Sequence, residues 1–419
     1  MQTIRVANRD LDLIDVKNWV VTRGVRIDDA VYDWAAGRYN LSRDSRKLTC
    51  LVLSNGYTCS LYDMGPQLEQ AAARYHWSDQ EKEEFAVQKS TPLRICMAED
   101  RPALTYQGTE FIDYVSFPRV NNFYERTTSS GLPFRGNVSL LGNDSYVVFG
   151  YEWPCDYAKA GFPCHYCHSG HETAAQAKHG ECVKEPISAV DMAEMVNASL
   201  ADDLAVSILY TGGSTFDGVA EHTYLSRFID GMNSYIGRQN IPGQILFYLT
   251  PPKNLNQLDH YIANGIDKLA MSVEVWDEDL AEKITPGKIK YTTRERHLRA
   301  LNYAAEKFGG NHVFCQLVVG CEPLESAAQG IRWLAQRGIT PVFSILQQHS
   351  LKINRKTQPP DLDFYIRAKE LWLNAYARYD IEPEGWEYSI GCLGAELYET
   401  AHQCAHASFP RPDASKLWM

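Results

Sequence analysis

Between Ser145 and Leu346 short apolar, β-branched runs alternate with longer stretches of helical period. The apolar runs are Tyr146 to Phe149, Ala205 to Tyr210 (AVSILY), Gln244 to Leu249 (QILFYL), Lys268 to Val275 (KLAMSVEV), Val313 to Val319 (VFCQLVV) and Thr340 to Leu346 (TPVFSIL). Runs of this length read as strands. Helical patterning covers Ala189 to Ser199, Thr223 to Ser234, Glu278 to Lys283, Thr292 to Phe308 and Leu324 to Gln336. Strand followed by helix, repeated, predicts a parallel sheet with crossover helices, and the loops after such strands gather at one carboxyl edge.

The flanks pattern differently. The N-terminal part carries strand-like SRKLTCLVLSNGYTCSLYDMG with a hairpin signal at Asn55-Gly56, then a polar helix over Ser78 to Gln88, and reads as a small α+β cap. The C-terminal part opens at Pro359-Pro360 and continues into an aromatic amphipathic helix, DLDFYIRAKELWLNAYARYD, expected to pack against the rest. The boundaries predicted are 1–137, 138–350 and 351–419.

Composition narrows the class. With 45% apolar and 22% charged residues the chain is an ordinary globular one. No apolar run approaches the roughly 18–20 residues of a membrane span, and the N-terminus lacks a signal-peptide core, so a cytoplasmic protein without a membrane partner is expected. The net charge of −11 weighs against phosphate-backbone binding, which makes nucleic acid an unfavoured partner. Eleven cysteines, an odd number in a long chain, point to reduced thiols, some of them metal ligands.

Spacing singles out three of them. Cys155, Cys164 and Cys167 follow the first core strand in the pattern C-x8-C-x2-C, and Gly161 and Pro163 supply turn residues that let Cys155 fold back toward the Cys-x-x-Cys end. Three thiolates leave one coordination position open, as a catalytic centre or an iron–sulfur cluster does. His165 or His168 would instead complete a Cys3His structural zinc site on an α/β binding protein.

Together with the strand order, this loop resembles that of radical SAM enzymes. The resemblance spans Val138 to Ser350 and implies a partial (β/α)6 TIM-type barrel, with the N-terminal α+β part and the C-terminal extension roofing the cavity. It implies a [4Fe-4S] cluster on Cys155, Cys164 and Cys167, with S-adenosylmethionine on the fourth iron. Tyr166 matches an aromatic residue near the adenine. Gly212, Gly213 and Ser214, after the second strand, resemble the element that meets the methionine amino group through backbone. Ser272 and Glu274, which share one face of the fourth strand by its period of two, resemble the residues that bond ribose and methionine. Arg294 first, and Lys288 second, resemble the cation that pairs with the carboxylate. Val318 and Gly320 fit the strand-five positions beside the adenine, while Cys315 alternates toward the covering helices.

Two departures stand out. The usual spacing in that family is C-x3-C-x2-C, and Ser214 stands where an acid is usual. Catalytic residues beyond the cluster and cofactor contacts are not assignable from sequence. The other cysteines, at 50, 59, 96, 182, 315, 321, 392 and 404, read as packing, with Cys392, His402, Cys404 and His406 a weaker metal set. The resemblance implies hydrogen abstraction from a small-molecule substrate, with an electron donor such as flavodoxin or ferredoxin as partner; modification of a nucleic acid or peptide is the alternative. Gln347, Gln348 and His349 are candidate substrate-facing residues.

Overall fold

The computed structural model describes residues 3–402 apart from 44–49, 65–68, 71–77, 81–82, 84–90, 141–146, 151–153, 181–186, 203–206, 217, 348–358 and 384–388. The predicted starts of the first two core strands, most of the Ser78 to Gln88 helix, and Cys182, Gln348, His349, Cys404 and His406 therefore lie outside the described residues.

Six parallel strands form the core: β1 (Val147–Gly150), β2 (Ile208–Thr211), β3 (Ile245–Tyr248), β4 (Lys268–Ala270), β5 (Val313–Val319) and β6 (Thr340–Ile345). Each pairs with its neighbour in sequence, so the sheet curls in chain order into a partial barrel. A short strand, Ser139–Leu140, adds antiparallel to β1, an edge that the sequence pattern did not predict.

Side-chain alternation sorts the two faces. On β5, Val313, Cys315, Leu317 and Val319 enter the main core beneath the helices, and Phe314 and Val318 join separate clusters on the inner face. Cys315 packs toward the helices, as its parity predicts. The covering helices include Ala189–Ala201, Gly218–Tyr235, Gln257–Ala263, Arg294–Phe308 and Leu324–Ala335. The third was not anticipated, because its seven residues show too little of a helical period.

β4 stops earlier than its apolar run. After Ala270 the Ser272 hydroxyl replaces a ladder partner by accepting from the Gln316 amide at 3.2 Å, and Glu274 adopts a left-handed φ of 69°. Strict alternation therefore does not carry Ser272 and Glu274 onto one face, although both stay at the same sheet edge.

The N-terminal part is α+β: a six-stranded sheet with the helices Leu13–Arg23 and Asp29–Ala35, including the hairpin of Cys50–Leu53 and Thr58–Ser60 expected at Asn55-Gly56. The C-terminal helix Leu362–Tyr379 buries Tyr365, Trp372 and Tyr376. Beyond it, Ile390 to Leu393 lies antiparallel along β6, with Ile345 donating to Gly391 at 2.9 Å, and Ser60 donates to Ile390 at 2.8 Å. One segment thus joins both sheets. Buried ions reinforce the junction: Lys17 meets Glu396 at 2.5 Å with both side chains 0% exposed, and Lys369 meets Asp12 and Asp15 at 2.7 and 2.6 Å. Among the described residues no helix is long and apolar enough to cross a membrane.

Candidate functional site

The cysteine loop leaves the carboxyl end of β1, and its long spacing has a structural reason. Asp156–Lys159 forms one helical turn, closed by Gly161 and by the Phe162 amide donating to Tyr157 at 2.8 Å. The buried Tyr157 hydroxyl bonds Thr292, and its ring stacks on Tyr291 at 5.3 Å. The insert is thus an anchor onto the segment after β4. A second tie comes from the His165 amide, which donates to Ile284 at 2.8 Å.

The glycine pair after β2 closes on the first cysteine. Asp156 donates its amide to the Ser214 carbonyl at 2.9 Å, and a Cβ on Gly213 would stand 2.7 Å from Cys155 Cβ and nearer still to its backbone. Only glycine allows that approach. Gly212 is exposed beside it.

Around the thiols the electrostatics are specific. Burial raises the Cys164 thiol, with Cys167, Glu274 and Cys155 adding to the rise and Lys288 opposing it. Cys167 is pushed up to about 11, chiefly by burial, while the Gly170 amide donates to its sulfur at 3.2 Å and pulls the other way. The three thiols therefore lie within electrostatic reach of one another. Among the described residues no three His, Cys, Asp or Glu side chains converge on one ion. A cubane cluster takes one thiolate on each of three irons. An all-thiolate set with an amide donated to one sulfur fits the cluster; the His168 side chain lies outside the description.

The remaining candidates divide into two groups. Tyr166 and Val318 meet in one small apolar cluster with Val275, Cys321, Leu346 and Ile289, on the same side of the site. Lys288 extends its ammonium to the Ser272 carbonyl at 2.7 Å and to Glu274 Oε1 at 2.8 Å. Burial disfavours that charge, but Glu274 and Cys164 outweigh it and leave the ammonium more basic than usual. Arg294 is placed differently: its guanidinium pairs with Glu278 at 3.2 Å and lies 4.3 Å over the Trp276 ring. Gly320 turns the chain at a φ of 112°, and a Cβ there would meet Tyr365 Oη at 2.6 Å, so its space is taken by the C-terminal helix.

Several site residues escaped the sequence reading. Glu221, on the helix after β2, accepts from Thr215 Oγ1 at 2.5 Å and from the Thr250 amide at 3.1 Å, tying together the loops that follow β2 and β3. Burial raises its carboxyl to about 7, against the pull of those bonds. In sequence it is one more acid on an amphipathic helix. On the inner face Gln316 donates to Tyr248 Oη at 3.0 Å and to Cys392 Sγ at 3.7 Å, above the apolar layer of Leu246, Ala270, Phe314 and Val342. Cys392 thus sits against the inner face of the sheet, while His402 lies against Tyr398 and Asp380.

No family model matches the chain. In sequence it is similar to the bacteriochlorophyllide c C-7(1)-hydroxylase of Chlorobaculum limnaeum, 22% identical over 271 residues that cover 60% of this chain. The match spans 64% of that relative's length. Among solved structures it is similar to a radical SAM methyltransferase from Sphaerobacter thermophilus, with a TM-score of 0.38 and 15% identity over 73% of this chain and 81% of the other. It is also similar to the Escherichia coli coproporphyrinogen III oxidase HemN, a radical SAM enzyme, with a TM-score of 0.35 and 16% identity over 55% and 52% of the two chains. The sheet order, the three-cysteine loop after β1 and the glycine pair against its first cysteine agree with the sequence motifs. The elements after β1, β2, β4 and β5 meet at one edge of the sheet, and the Arg294 side chain is engaged with Glu278 and Trp276.

Proposed function

We propose that Cys155, Cys164 and Cys167 hold a [4Fe-4S] cluster and that the enzyme uses S-adenosylmethionine to abstract hydrogen from a small molecule. Such a cluster, when bound, supplies one electron that cleaves S-adenosylmethionine to a 5′-deoxyadenosyl radical, the agent of hydrogen abstraction.

The residues of this chain have the positioning work. Gly212 and Gly213 present backbone to the methionine amino group, and Ser272 and Glu274 hold the ribose and methionine end. Lys288, which both Cys164 and Cys167 sense, is better placed than Arg294 for the carboxylate. Tyr166 and Val318 flank the adenine, and Gly320 keeps the turn beside it. Below them the Tyr248, Gln316 and Cys392 layer offers polar groups to a substrate over an apolar floor, excluding water from the reacting carbon. The N-terminal α+β part, 1–137, and the extension, 351–419, close the cavity around the 138–350 core.

The observation that carries this reading is the packing of Gly213 on Cys155, which joins the proposed cofactor contacts to the proposed ligand loop. The similarity to a hydroxylase acting on bacteriochlorophyllide c supports a small-molecule substrate, without identifying it. Anaerobically purified protein reduced with dithionite is expected to release 5′-deoxyadenosine from S-adenosylmethionine, and Cys164→Ala to release none. Equal release by both proteins would overturn the assignment.

A further inference from the structure

Two residues after β4 hold backbone conformations that side chains rarely adopt. Glu274 has a φ of 69°, and Thr293 has a φ of 64° with a ψ of 148°. A β-branched residue takes such a conformation only where its surroundings enforce it. Between these two, Lys288–Thr292 makes a π-helical turn, closed by the Thr293 amide donating to the Lys288 carbonyl at 2.9 Å. Such a turn holds one residue more than an α-turn and recurs at functional sites. Lys288, its first residue, is the one whose ammonium reaches Ser272 and Glu274.

The residues between Cys155 and Cys164 grip this turn at both ends. Tyr157, 2% exposed, is hydrogen-bonded through its hydroxyl to Thr292, the last residue of the turn, and stacks on Tyr291. At the other end a Cβ on Gly287, the neighbour of Lys288, would stand 2.5 Å from Tyr157 Cβ and 2.6 Å from the Phe162 carbonyl oxygen. A ring that served only to pack the loop could be wholly apolar, whereas a buried hydroxyl with a partner specifies position. Without that bond the turn is free to relax toward an α-turn by giving up its extra residue. Each residue of a helix rotates about 100°, enough to carry the Lys288 ammonium away from Ser272 and Glu274.

Resting on the cluster and Lys288 assignments above, we propose that Tyr157 is a positioning residue for Lys288. The long insert between the first two cysteines thereby sets the ammonium that takes the carboxylate of S-adenosylmethionine, and keeps it in register with the loop that holds the cluster.

The test compares the full wild-type chain with Tyr157→Phe, Lys288→Met and the double variant. Affinity is read by titrating S-adenosylmethionine against the paramagnetic signal of the reduced protein, and turnover by dithionite-driven release of 5′-deoxyadenosine. Tyr157→Phe is expected to weaken affinity and raise KM about tenfold, with kcat changed less than about twofold and the iron content kept. Thr292→Val, which cuts the same bond and leaves Lys288 in place, should match it. In the Lys288→Met background Tyr157→Phe should add nothing, because both act through one ammonium. The same tenfold loss in both backgrounds would overturn the proposal, as would lost iron with unchanged affinity, which would make Tyr157 an anchor for the cysteines alone. The underlying assignments fail by different signs: a wild type that releases nothing removes the cluster, and Lys288→Met with wild-type affinity removes the role of the ammonium. In either case urea unfolding of the same four proteins still reads the tie, since Tyr157 and Lys288 should be energetically coupled, and strictly additive losses would refute it.

Discussion

Gly213 lies directly against Cys155, with 2.7 Å between a would-be Cβ and the cysteine Cβ. A methyl group there must push the first cysteine away from the other two. Gly213→Ala is expected to fold, because the strain falls at a loop, but to incorporate less iron and to release 5′-deoxyadenosine about 100-fold more slowly. Iron content and single-turnover cleavage check this.

Lys288 and Glu274 form a pair with side chains only 15% and 10% exposed. Removing one partner strands the other charge, so Lys288→Met should cost about 3–5 kcal/mol in urea unfolding. Lys288→Met/Glu274→Gln should recover most of that loss while still binding S-adenosylmethionine weakly, which separates the structural role from the cofactor role.

Glu221 gives a pH dependence. Burial raises its folded pKa to about 7, from the ordinary carboxyl value, so the protein holds this proton more tightly than the unfolded chain does. Its contribution to stability is full at acid pH and is lost as pH rises through 7. Stability should therefore drop by about 2–3 kcal/mol between pH 5 and pH 8 from this group. Glu221→Gln, whose Oε1 can still accept from the Thr250 amide while its Nε2 donates to Thr215 Oγ1, removes the titrating group and should flatten that slope in chemical denaturation across the range.

The junction of the terminal parts rests on Lys17 and Glu396, both fully buried. Lys17→Met should destabilise by about 3–5 kcal/mol, and Lys17→Met/Glu396→Leu should restore much of it, since a well-packed apolar pair matches a buried ion pair. Thermal unfolding of the two variants distinguishes this from a surface pair, whose loss would cost less than about 1 kcal/mol.

The barrel was legible because each core strand is an apolar run bounded by a helical period, and the cysteine loop because its spacing is chemical. Tyr166 and Val318 share one small apolar cluster although 152 positions separate them. Other features depend on contacts between segments distant in sequence. The helical turn at Asp156–Lys159 exists because Tyr157 finds Thr292 across the loop, and β4 ends early because the Ser272 hydroxyl substitutes for backbone. Arg294 could be read from sequence only as a cation after β4; Glu278 and Trp276 decide where it points. Glu221 carried no signal at all, since its burial comes from two threonines on separate loops.

The central claim is an open-site cluster on three cysteines, and electron paramagnetic resonance of the anaerobic, reduced protein tests it most directly. The account predicts about four irons per chain, a spectrum that changes when S-adenosylmethionine is added, and loss of the signal in Cys155→Ala, Cys164→Ala and Cys167→Ala. A colourless protein with one zinc, or a cluster signal that persists in these variants, would contradict it.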